Sequence, residues 1–185
     1  EPALSDALLS AITAATKAYL HAQIDAGVHL VQLFDSWAGS LSRDLYVQRI
    51  LPHMQDLLEG LQDRVPVTVF AKGGSHFLGD LATLPCTTLG LDWQTDRRWA
   101  RDVANNAPGG PKVLQGNLDP SVLYADPGII RAETHRMLQE LGIQRTIANL
   151  GHGLYPDIPA DHGRAFVQAV KEYVPATERE TTTSA

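Results

Sequence analysis

The chain has 185 residues, 44% of them hydrophobic, which is enough for one domain with a sizeable core. Its formal charge of −6 argues against nucleic acid as the main partner, no apolar run approaches the roughly 18 residues of a membrane span, and no signal-like segment opens it. A single cysteine, Cys86, excludes an internal disulfide and fits a reducing compartment, so the cytoplasm is the expected location.

The chain opens on Glu1, and Leu8 to Ala26 already reads as a helix in mid-protein. A β-branched run at Val28–Phe34 is the first predicted strand. Val47, Ile50, Met54, Leu57, Leu58 and Leu61 then recur at helix spacing behind Ser42, a suitable N-cap. Val65–Phe70 is the second strand, followed by a short helical stretch at Leu78–Leu84. Thr87–Leu91 is the third strand, and Thr95–Asn105 a polar helix with an Ala/Val stripe. The fourth strand runs from Lys112 to Leu114 and on to Gly116. Asp126 can cap the next helix, with Pro127 at its first position, Ile130, Thr134, Met137, Leu138 and Leu141 on its buried face and Gly142 ending it. Arg145–Asn149 is the fifth strand, and Ala165, Phe166, Ala169, Val170 and Tyr173 form a last apolar face. Residues 176–185 are polar, Thr-rich and without apolar period, and read as a tail.

Strands alternating with helices across short connections imply a parallel sheet with helical crossovers. An open doubly wound sheet and part of an eight-stranded (β/α) barrel both fit. The segment after the first strand, Phe34-Asp35-Ser36-Trp37-Ala38-Gly39, lacks the glycine fingerprint of a dinucleotide fold, which favours the barrel.

Polar or special residues recur just past each predicted strand: Asp35 and Ser36, then Lys72, Gly73 and Gly74, then Asp92 and Trp93, then Asn117 and Asp119, then His152 between Gly151 and Gly153. In a parallel α/β fold these positions converge on one face, where ligands bind. Each also has a plainer reading. Ser36 can cap its own turn, His152 can be a buried, satisfied histidine, and Asp92 and Asp119 can hold loops through backbone N–H groups. Lys72 can pair with one of those aspartates, and Trp37 and Trp93 can be packing residues. No set of Cys, His and carboxylates has zinc spacing, and neither a nucleophile elbow nor a Walker loop is present.

These loops fall inside runs that resemble uroporphyrinogen decarboxylases: Gln32-Leu33-Phe34-Asp35-Ser36-Trp37-Ala38-Gly39, Val69-Phe70-Ala71-Lys72-Gly73, Leu89-Gly90-Leu91-Asp92-Trp93, Gln115-Gly116-Asn117-Leu118-Asp119-Pro120 and Ile147 to Asp157. They stand in that family's order and spacing over roughly Ala22 to Tyr173. The resemblance implies a (β/α)8 TIM barrel of which residues 1–175 hold about the last five strands. It also implies a homodimer with facing clefts, and conversion of uroporphyrinogen to coproporphyrinogen with release of four CO2, without metal or organic cofactor. Three residues carry over as substrate-binding: Ser36 of the Phe-[Asp/Glu]-Ser loop, His152 of Asn-Leu-Gly-His-Gly, and Phe34, which packs against the macrocycle. The family's paired arginines, its aspartate at the pyrrole nitrogens and a further tyrosine match nothing here and are expected upstream of Glu1, so no catalytic residue is assigned and the chain alone is expected to be inactive.

Two other readings compete: a corrinoid or cobalamin-independent methyltransferase on the related barrel, which would need a zinc-binding Cys/His set, and a degenerate, non-catalytic barrel module. If the barrel is open, Val31, Leu33, Val69 and Leu89 are expected to alternate between its interior and the helix layer, leaving apolar side chains uncovered.

Overall fold

The computed structural model describes residues 1–175, so the expected tail at 176–185 lies outside the described residues. In chain order the elements are α1 (Pro2–Asp25), β1 (Val31–Asp35), α2 (Arg43–Arg49), α3 (Leu51–Leu58), β2 (Val67–Ala71), α4 (Leu78–Leu81), β3 (Thr88–Gly90), α5 (Arg97–Asn105), β4 (Val113–Leu118), α6 (Pro127–Leu141), β5 (Thr146–Leu150) and α7 (Ala160–Glu172). The strands pair side by side in sequence order, every pair parallel. This is an α/β fold in which each strand is followed by helix, as in one continuous arc of a (β/α)8 barrel.

Local chemistry accounts for several boundaries. Ser42 accepts a hydrogen bond from the Leu45 N–H at 3.3 Å, and Asp96 one from the Trp99 N–H at 2.8 Å, each opening a helix. Gly142 closes α6 with φ 71°, a conformation that costs a glycine little. Asp126 occupies the N-cap position of the same helix, but its side chain makes no capping bond there. The single helix expected after Ser42 is two, α2 and α3, meeting at Ile50. Pro52 explains the break: without an N–H it cannot bond back to the carbonyl of Gln48, and its ring crowds that turn.

Apart from β3, the strands sit one to three residues later than their β-branched runs suggest. β1 starts at Val31, leaving Val28 and Leu30 exposed, and ends on Asp35. β4 runs through Asn117 to Leu118, so Asp35 and Asn117 are strand residues where loop positions were expected.

Side-chain alternation separates two faces. Val31, Leu33, Val67, Val69, Leu89 and Leu114 turn to the helices, where they join one core with Tyr46, Leu58, Leu61, Phe77 and Met137. Val31, Leu33, Val69 and Leu89 therefore share the helix layer and do not alternate. The other face carries Gln32, Phe34, Phe70 and Gln115, so the barrel interior is amphipathic where an apolar layer was expected. The continuous burial expected of parallel strands holds for β2, buried along its whole length, but not for the edge strands β1 and β5.

The sheet is strongly curved. The Gln115 Nε2 donates to Gln32 Oε1 at 3.2 Å, although three strand spacings separate β4 from β1. In a flat sheet those backbones would stand about 14 Å apart with both side chains pointing straight out, beyond each other's reach.

Candidate active site

Ser36 lies in the turn that follows β1. It is exposed, and its hydroxyl makes no hydrogen bond to another described residue, so it does not cap the turn. Two residues earlier Phe34 is 63% exposed on the concave face, with its ring edge-to-face on Phe70 at 5.8 Å. His152 follows β5 and is also exposed, which sets aside the buried-histidine reading. Its ring stands perpendicular to that of Trp93, with centroids 5.9 Å apart.

Close backbone approach brings these loops together. The Gly151 N–H donates to the Leu118 carbonyl at 2.7 Å, and a Cβ on Gly151 would run into the backbone nitrogen of Trp93. On the other side, a Cβ on Gly39 would lie 2.6 Å from the Cα of Gly73. Glycine at both positions is what lets the loops after β1, β2, β3 and β5 pack edge to edge.

All three sequence-predicted residues, Phe34, Ser36 and His152, line one groove of about 370 Å³ over the C-terminal ends of the strands, with Phe70, Gln115 and Asn149 on its floor. A second groove of about 310 Å³ shares Ser36 as a wall and is lined further by Trp37, Lys72, Trp93 and Gln94.

The aspartates hold loops, as their plainer reading has it. Asp92 is 2% exposed; its Oδ2 accepts the Gly73 N–H at 2.5 Å, and its Oδ1 accepts the Thr95 hydroxyl at 2.8 Å and the Gln94 N–H at 3.2 Å. Asp119 accepts the Ser121 N–H at 2.8 Å. Asn117 stays out of the groove: fully buried, it donates to the Asp92 and Thr95 carbonyls and accepts from Arg97. Lys72 makes no ion pair with a described residue and instead lies 5.9 Å over the Trp93 ring. Trp37 is 81% exposed at the rim, which rules out a packing role within the described residues.

Sequence reasoning missed the groove floor and one residue behind it. Gln32, Gln115 and Asn149 are polar interruptions in otherwise apolar strands, and a period-two reading of those strands would have found them. Tyr46 is fully buried, stacked on Phe77 at 4.0 Å, and its hydroxyl donates to Asp35 Oδ2 at 3.1 Å. Burial, and then the Asp35 charge, push that phenol far above its ordinary value.

The groove thus offers a hydroxyl, an imidazole and amides, with an aromatic pair for a flat apolar body. Among the described residues no group of three His, Cys, Asp or Glu side chains could hold a metal ion. Cys86 precedes β3 at the opposite end of the sheet, where burial raises its thiol pKa.

A parallel arc of strand–helix units with its groove at the strands' C-terminal ends defines a partial (β/α)8-barrel domain. The methyltransferase from Methanosarcina mazei shares this fold with a TM-score of 0.74 at 23% identity, over 86% of this chain and 47% of that one. The putative vitamin-B12 independent methionine synthase from Listeria monocytogenes does so with a TM-score of 0.67 at 14% identity, over 94% of this chain and 58% of that one. In sequence, the family described as uroporphyrinogen decarboxylase matches residues 1–173. The uroporphyrinogen decarboxylases of Christiangramia forsetii and Teredinibacter turnerae are each 44% identical to it over 93% of this chain and 49% of their own length. The chain belongs to the uroporphyrinogen decarboxylase family. It spans about half the length of the curated relatives it matches.

Proposed function

We propose that this chain is the C-terminal half of an enzyme that converts uroporphyrinogen to coproporphyrinogen, removing four acetate carboxyl groups as CO2 without metal or organic cofactor. The observation that carries the reading is that family identity spread over 93% of the chain coincides with a groove into which Phe34, Ser36 and His152 all open. Phe34 and Phe70 give the macrocycle an apolar seat. Ser36 and His152 donate hydrogen bonds to its carboxylates, and His152 adds charge when protonated.

The chemistry defines what else is needed. Loss of CO2 from a pyrrole acetate requires the ring to accept the electron pair of the breaking C–C bond. Protonation of a pyrrole carbon makes it able to do so. The departing CO2 leaves an exocyclic methylene; a second proton at that carbon, with release of the first from the ring, restores a pyrrole bearing a methyl group. Each cycle replaces one carboxylate by one proton. Neither Ser36 nor His152 suffices for the first protonation, and the acid is assigned to the half of the relatives that this chain does not span. Alone, residues 1–185 are therefore inactive.

The proposed assembly is a homodimer with facing clefts, for which exposed Trp37, Leu154 and Tyr155 supply apolar area near the groove. The proposed location is the cytoplasm, which the single, buried Cys86 suits. The fold likeness to methyltransferases supports a second reading, but Cys86, the one thiol available as a zinc ligand, sits at the wrong end of the sheet.

Combining residues 1–185 with the N-terminal half of a relative tests the proposal. The assembled protein should convert uroporphyrinogen to coproporphyrinogen in the absence of oxygen, with activity unchanged by chelator. A strict zinc requirement, or methyl transfer with no decarboxylation, would overturn it.

A further inference from the structure

Ser36 separates two grooves, and only the first has been given an occupant. The second lies over β2 and β3, between Trp37 and Trp93, and Lys72 is the only lysine or arginine lining either groove among the described residues. The end of β1, the turn after it and the loop after β3 fix its backbone: the Lys72 N–H donates to the Asp35 carbonyl at 3.0 Å, its carbonyl accepts the Gly39 N–H at 2.8 Å, and the adjoining Gly73 N–H is held by Asp92.

Its side chain has no such partner among the described residues. Lys17 is paired with Asp56 at 2.9 Å, and the Lys112 ammonium donates to the Leu84 and Cys86 carbonyls at 2.9 and 2.7 Å. The Lys72 ammonium, half-buried, has among the described residues only the face of Trp93. Asp92, the nearby carboxylate, is committed to Gly73, Gln94 and Thr95. A partly desolvated cation on a fixed backbone, with no counter-charge among the described residues and beside the hydroxyl of Ser36, suits a carboxylate.

We propose that the second groove is a carboxylate subsite, in which Lys72 anchors one acidic side chain of a polycarboxylate whose body lies over Phe34 and Phe70. This deepens, and rests on, the decarboxylase reading. Lys72 thereby positions the substrate, and takes no part in the proton transfers.

The test uses residues 1–185 and uroporphyrin, the stable oxidised form of uroporphyrinogen, with binding read from quenching of tryptophan fluorescence. Lys72→Gln should weaken binding about tenfold and Lys72→Arg less than threefold, as expected for loss or retention of one charge-assisted contact. Reductive methylation of the unmutated chain supplies a readout that needs no variant: bound uroporphyrin should protect the Lys72 amine and leave Lys17 reactive. Uroporphyrin binding with Lys72→Gln within threefold of the parent, or with Lys72 methylated at an unchanged rate, overturns the subsite alone. An unmutated chain that binds no uroporphyrin overturns the subsite and the substrate assignment together.

Discussion

Ser36 and His152 present the groove with donors that no other described residue engages. A hydroxyl already used to cap its turn would be a poor ligand; this one is free, and the imidazole touches only the edge of an indole ring system. In the protein completed by a relative's N-terminal half, Ser36→Ala and His152→Asn should each lower kcat/KM about tenfold, ~1.4 kcal/mol on the rate scale. Circular dichroism should be unchanged, and a loss within threefold would return either residue to a structural role. Tyr46 makes a different prediction. Its folded pKa is raised, so the folded state keeps the phenol proton longer than the unfolded chain does. The stability it contributes is complete below the ordinary tyrosine value near 10 and is lost as pH rises beyond it. Tyr46→Phe should cost about 1 kcal/mol at pH 7.5 and flatten part of the alkaline fall in denaturant midpoint. Tyr124, whose pKa its hydrogen bond to Asp157 raises to about 12, acts in the same window, and Tyr124→Phe is the control.

At the scale of elements, the loops depend on backbones that touch. Gly39 against Gly73, and Gly151 against Trp93, leave no room for a methyl group. Gly39→Ala should destabilise by about 1–3 kcal/mol, and because the clash is with main chain it should also disturb both grooves. Urea unfolding together with uroporphyrin binding checks this; a neutral Gly39→Ala would show that the loops slide apart at no cost. The strands and most helices were legible in the sequence because period and capping are local signals, as Ser42 and Gly142 illustrate. The split between α2 and α3 was legible too, in Pro52, but the apolar period running through it hid the break. The site was half legible. Ser36 and His152 announce themselves as polar residues after strands, whereas Gln32 and Gln115 meet across 83 residues of sequence, a partnership that no local pattern encodes.

At the scale of the whole molecule, the arc leaves β1 and β5 each with one edge unpaired among the described residues. α1, packed on α3, shows an apolar stripe to solvent, with Leu4, Leu8, Ile12 and Tyr19 between 52% and 68% exposed. Open parallel edges and exposed apolar surface each favour association with another chain. Residues 1–185 alone should therefore sediment as dimers or larger species, and Leu8→Glu with Ile12→Lys should shift them toward monomer. A cooperatively unfolding monomer that turns over uroporphyrinogen would refute both this and the assignment of the acid to the other half.

The hydrogen bond from the Gln115 side-chain amide to that of Gln32 has one more consequence. It works like the tie-rod of an arch, drawing β4 toward β1 across the concave face. Any segment that closes the ring must fit a gap whose width these five strands have already gauged. The same tie bears on how far apart the walls of the groove beside Phe34 and Phe70 stand.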